Sequence, residues 1–173
     1  MPFSDPNSAQ NPATGLVAPH GWGTNVDASF NFLRGAKAGC HLTSVVGTAI
    51  TTDTVLPWAT ELYDVNGCHD NVTNNSRITV PSGWAGLWFI GASIRCTQSG
   101  TSTPFTIKLV VNATTTICQS VSVGVSLFEN QHACETIYVL AAGDYVETWI
   151  TNGTARSTAV ASRFYAHWLH SGV

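Results

Sequence analysis

The chain has 173 residues, 44% of them apolar and only 10% charged, with a formal net charge of −3. That length suits one domain with an appendage better than two full domains. The charge balance leaves no basic footprint for nucleic acid or anionic lipid, and low charge with many aromatics argues against disorder over most of the chain.

Pro2, Pro6, Pro12 and Pro19 crowd the N-terminal stretch, with Asn, Ser and Gly between them, so it reads as an extended arm without its own core. Residues 1–10 are polar, with neither a basic n-region nor an apolar h-region, and no secretory signal is expected. No apolar run approaches the roughly 18 residues of a membrane span. In TNVDASFNFLRG at 24–35, Thr24 can cap a helix, and Val26, Phe30 and Leu33 share one face. A helix this short is marginal alone and must dock on something. The face formed by Val26, Phe30 and Leu33, with Trp22 just before it, either packs under its own domain or is the docking surface with which arm and helix grip a partner. Two regions follow: an arm with its helix over 1–36, and a globular domain over 37–173.

From about Cys40 the apolar period becomes two. Trp88, Ile90, Ala92 and Ile94 share one face of a strand over 86–96. Phe105, Ile107, Leu109 and Val111 do the same over 105–111, and Val121, Val123, Val125 and Leu127 over 119–127. Further strands are expected at 42–50, 53–60, 76–80, 135–140, 144–151 and 163–169. Turns fall between them, among them QSGTSTP at 98–104 and NGTARST at 152–158. Short strands at this spacing, with no helical period after residue 35, indicate an all-β sandwich or barrel.

Candidate chemistry is sparse. Five cysteines (Cys40, Cys68, Cys96, Cys118, Cys134), odd in number and with no CxxC, fit free and mostly buried thiols. Cys40–His41, Cys68–His69–Asp70 and His132–Cys134–Glu135 invite a zinc reading, but neighbours on a strand point to opposite faces and each Cys-His doublet offers one ligand at most. His167 and His170 should likewise diverge if their strand continues. No metal or cofactor is expected. Asp144, after Gly143, suits a tight turn where its carboxylate accepts backbone N–H bonds. Asp64 and Asp70 flank a Gly-containing loop but are too few for calcium. No G-x-S-x-G, H-E-x-x-H or phosphate loop occurs, so no enzyme is expected. Trp58, Trp84, Trp88, Trp149 and Trp168 suit a core or an oligomer axis, or else the floor of a sugar site.

The run VLPWATELYDVNGCHD at 55–70 resembles the "vPF-tElyD" stretch of C1q-like domains. RITVPSGWAGLWFIGASI at 77–94, KLVVNATT at 108–115, YVLAAGDYVETWI at 138–150 and FYAHWL at 164–169 are similar to that family's later strands, in the same order. The resemblance implies a C1q/TNF-like jelly roll of about ten strands that forms a homotrimer. No collagen-like Gly-X-Y repeat precedes it. The Pro/Thr-rich start and the "W-G--V--sf-fL" pattern resemble the leader of small virion proteins of tailed bacteriophages. Together these resemblances imply a trimeric decoration (cement) protein on the capsid exterior. Its arm would bind the major capsid protein or another virion protein. The alternative is a receptor- or glycan-binding module of a phage head fibre or tail tip, recognising a host-surface glycan through loops 97–104 and 152–158. In either case nucleic acid and membrane are not partners. The few charges, such as Arg95, Arg156 and Glu129, are expected on an outward face or rim.

Overall fold

The computed structural model describes residues 37–43, 49–50, 53–98, 104–123, 129–152, 156–158 and 162–172. Residues 1–36, with Trp22, Val26, Phe30, Leu33 and the helix expected at 24–35, lie outside the described residues.

The described strands are β1 (Gly39–Thr43), β2 (Ala49–Ile50), β3 (Thr54–Val55), β4 (Thr60–Val65), β5 (Arg77–Thr79) and β6 (Gly86–Gln98). They continue with β7 (Pro104–Val111), β8 (Thr115–Val123), β9 (Glu129–Leu140), β10 (Tyr145–Asn152), β11 (Arg156–Thr158) and β12 (Arg163–His170). Every pairing is antiparallel, in two sheets. The larger has seven strands. β9 flanks one side of β6; β12, β1 and β4 extend from its other side, where β11 and β2 also pair near its end. The smaller sheet runs β3-β10-β7-β8, with β5 also on β10. The chain crosses between sheets after β2, β3, β4, β5, β6, β8, β9 and β10, which is a jelly-roll sandwich and matches the expected fold class.

The alternation rule places most of the core. Trp88, Ile90, Ala92 and Ile94 on β6 are fully buried, and so are Phe105, Ile107 and Leu109 on β7. Leu42, Phe164 and Ala166 continue the layer across the large sheet, while Val146 and Ile150 face them from the small one. Trp58 packs on Phe164 with ring centroids 5.6 Å apart. Burial of each such large side chain contributes on the order of 2–3 kcal/mol. Trp88 and Trp168 close the end of the sandwich, donating their indole N–H groups to the carbonyls of Trp84 (3.0 Å) and Ala85 (3.2 Å).

Several expectations are corrected. Residues 53–60 are not one strand: β3 ends at Val55, and β4, over 60–65, was not expected. The 152–158 stretch is not all turn, because 156–158 pairs with β6. On β8 the expected face is inverted. Val121 is exposed while Ser120 and Ser122 are half-buried, since these serines stand opposite the core residues Ile107 and Phe105. A register shift between Leu109 and Val110 sets this phase, and a one-residue slip flips every side chain.

His167 and His170 do not diverge either. A bulge between Trp168 and His170 places His170 opposite Leu87, two residues from His167's partner Phe89 and therefore on the same face.

Candidate assembly face

The outer face of the seven-stranded sheet is built by the residues that alternate with the core. Across neighbouring strands, register aligns Ile137, Phe89, His167 and Gly39 in one row, and Glu135, Gly91, Tyr165, His41 and Tyr63 in the next. Val139 and Leu87 form a third row beside His170. Ile137 is 55% exposed and Val139 48%, large values for aliphatic side chains within a strand.

The middle of this face is aromatic. Tyr165 lies 5.8 Å from Phe89, 5.6 Å from His41 and 6.0 Å from His167 between ring centroids. Tyr63 meets His41 edge-on at 6.0 Å and stacks on His167 at 5.9 Å. Two glycines make room for these flat-lying rings. A β-carbon at Gly91 would stand 2.5 Å from the Tyr165 hydroxyl oxygen, and one at Gly39 would stand 2.9 Å from His167 Nδ1. Aromatic rings laid over strand glycines cover backbone that no side chain of its own protects.

Polar ends of the cluster are tied within the chain. The Tyr63 hydroxyl is hydrogen-bonded to the His167 imidazole at 3.2 Å from Nε2. The Tyr165 hydroxyl donates to Glu135 Oε1 at 2.9 Å. Burial, then the Glu135 bond and charge, push the Tyr165 phenol up to about 12. Burial holds the His167 imidazole below its ordinary value. His41 is shifted the same way, by burial and then by the charges of Arg163 and His167. Its Nε2 is buried with no hydrogen-bond partner among the described residues. Both shifts favour the uncharged imidazole. Arg95, expected outward, stands on this same sheet face opposite Gln131, beyond the aromatic rows; the side chains of Arg156 and Glu129 lie outside the described residues.

Other predicted chemistry resolves into structural roles. Asp144 accepts the Ala141 N–H at 2.8 Å, as its turn position implies, and also the Asn112 amide at 2.8 Å. Asp70 accepts N–H bonds from Val72 and Thr73, and Asp64 accepts them from Cys68 (2.8 Å) and His69 (3.1 Å). The doublets split as a pleat requires: Cys40 is fully buried while His41 takes the outer face, and Cys134 is buried while Glu135 is exposed.

One ligand from each Cys-His doublet does converge, which doublet-by-doublet reasoning missed. Cys40, Asp64 and Cys68 bring donor atoms within 4.8 Å of one another. Their sequence signal is weak, because Cys40 and Cys68 are distant until β1 pairs β4. Three donors fall short of a closed zinc site, and both Asp64 oxygens already accept backbone N–H groups. A hydrogen bond with Cys68, then burial, hold the Cys40 thiol well above its ordinary value. Burial and the neighbouring Cys118 push the Cys134 thiol up to about 12.

On the small sheet, a depression of about 180 Å³ is lined by Asp53, Lys108, Thr114, Thr116 and Trp149. Lys108 and Asp53 form an ion pair at 3.4 Å across it. Trp58, Trp88 and Trp168 are core residues and Trp84 packs against the core, whereas Trp149 lines this open depression. The loop residues 99–103 and 153–155, expected to carry glycan recognition, lie outside the described residues.

No protein-family model matches the sequence, and no curated relative matches it. Among solved structures, crystals of murine APRIL at pH 5.0 and at pH 8.5 match with TM-scores of 0.59 and 0.58. Each is 12% identical, and the match covers 78% of this chain and 100% of that chain. At that identity the likeness shows the fold alone, a TNF-like jelly roll.

Proposed function

We propose that the chain is a structural protein that trimerises through the outer face of its seven-stranded sheet and decorates the capsid exterior of a tailed phage. The observation that carries the assembly step is the unpartnered apolar surface of Leu87, Phe89, Ile137 and Val139 running into the Tyr63–Tyr165–His167 cluster. Contiguous apolar surface of this kind marks protein contact, and burial disfavours charge on its two histidines. Two further copies of the same chain are the occupants that the C1q/TNF-like resemblance favours.

Capsid attachment rests on the virion-protein resemblance of the arm, with Trp22, Val26, Phe30 and Leu33 as the docking residues. Binding only to the assembled lattice would stabilise that lattice by linkage, and three arms per trimer would add avidity. The experiment compares the full chain with residues 37–173 by sedimentation and by co-pelleting with phage particles. A truncated trimer that no longer pellets supports the reading. Equal pelleting of both forms refutes the anchor, and a monomeric full chain refutes the trimer.

The depression beside Trp149 favours a second reading, a glycan- or receptor-binding module of a head fibre or tail tip. A ring face flanked by a carboxylate, an ammonium and hydroxyls is the chemistry that stacks on and hydrogen-bonds to a sugar. A handful of copies per particle, with glycan-array binding lost on Trp149→Ala, would favour it over decoration.

A further inference from the structure

Four of the five thiols meet in two pairs. Cys40 on β1 lies against Cys68 in the turn after β4, with sulfurs within 4.8 Å of each other and the Cys68 Sγ donating to the Val65 carbonyl at 3.3 Å. Cys118 on β8 reaches the same stretch of β9 that holds Cys134, its Sγ donating to the carbonyl of the adjoining Glu135 at 3.4 Å across the junction of the two sheets. Packing alone does not require this, because a buried thiol behaves as a small hydrophobe and sits equally well against carbon. We propose that these are dithiols that close to disulfides, Cys40–Cys68 and Cys118–Cys134, when the folded chain meets a low-molecular-weight disulfide such as oxidised glutathione.

Exposure sets the order of events. Cys118 is half-buried, whereas Cys40, Cys68 and Cys134 are all buried. The Cys118 thiolate attacks one sulfur of the small disulfide and expels a small thiolate, which takes up a proton. Cys134 then gives up its proton and attacks the Cys118 sulfur of the mixed disulfide, releasing the second small thiol. Two protein S–H bonds and one small S–S bond become one protein S–S bond and two small thiols. The same exchange at Cys40–Cys68 waits for the turn over 66–69 to lift, since neither sulfur reaches solvent. The first bond would staple β8 to β9, and the second would fasten the end of edge strand β4 to β1. Neither depends on the assembly reading above.

The test incubates the folded full chain with oxidised glutathione, then denatures, alkylates and maps it by mass spectrometry. The reduced chain takes five alkyl groups. Full oxidation should leave one, at Cys96, with the Cys118–Cys134 peptide linked before the Cys40–Cys68 peptide. Cys134→Ser should trap glutathione on Cys118, and Cys118→Ser should leave Cys134 alkylatable over the same time. Persistent glutathione on Cys118 in the unmutated chain, or cross-links between the pairs, would overturn the proposal.

Discussion

The Tyr165 ring lies across Gly91 of the neighbouring strand, its Cζ 2.6 Å from where a β-carbon would stand. That close approach fixes where the phenol ends, at the Glu135 carboxylate 2.9 Å away. Gly91→Ala should displace the ring and break this bond, destabilising the fold by about 1–3 kcal/mol, as overpacking usually does. A lower urea midpoint, with the Tyr165 phenol titrating nearer its ordinary value, is the expected outcome. An unchanged phenol titration would show that the ring is not held there.

Phe89→Asp and Ile137→Arg should each leave a folded chain but abolish the trimer, because each buries an unpaired charge in the proposed interface. Val121→Arg is the control: Val121 is 58% exposed on β8, in the other sheet, and its substitution should leave the assembly intact. Light scattering with circular dichroism separates loss of assembly from loss of fold. A trimer that survives both interface substitutions would place the contact elsewhere.

Acid should loosen the fold through His167 and His41, whose imidazoles are held below their ordinary value chiefly by burial. The unfolded chain protonates them first as pH falls, so it binds more protons within the window between the unfolded and folded values. Their stabilising contribution is complete above the unfolded value, near 6.5, and declines as pH drops through that window. The facing groups are Tyr63 from β4, and Arg163 and Tyr165 from β12; Arg163 adds to the penalty on a charged His41. Urea midpoints from about pH 8 to about pH 5 should fall, and His167→Gln with His41→Gln should flatten the curve. An equally steep fall in the double variant would assign it to other groups.

Asp144 and Asn112 latch two turns together. Asn112 donates to Asp144 at 2.8 Å and accepts the Tyr145 N–H at 3.0 Å, while Asp144 also accepts the Ala141 N–H. Asp144→Ala removes both of its bonds and should cost about 1–3 kcal/mol. Hydrogen exchange at the Ala141 amide should accelerate at the same time. A protected Ala141 amide in that variant would mean the turn holds without the carboxylate.

Much of this fold was legible because half-buried strands print their period on the sequence. Trp88 to Ile94 and Phe105 to Leu109 lie where alternation puts them, and Asp144 performs the turn role its position implies. What failed was phase. Nothing local marks the register shift at Leu109/Val110, so alternation puts Val121 on the wrong face. β4 escaped because TELYDV sits at a sheet edge and its burial follows no alternation. The aromatic face was hidden for a different reason. His41, Tyr63, Phe89, Tyr165 and His167 come from four strands, and only pairing between distant segments assembles them.

The bulge between Trp168 and His170 makes the last strand unusually forgiving of length. In a regular stretch of these sheets, gaining or losing one residue would rotate every following side chain to the wrong layer. At Leu169, with 37% of its surface exposed, the extra residue has already been absorbed, and the pairing with Leu87 resumes beyond it. Variants of this domain that differ by one residue are therefore expected to differ here. An alignment that forbids gaps inside strands would misplace the C-terminus in such a comparison.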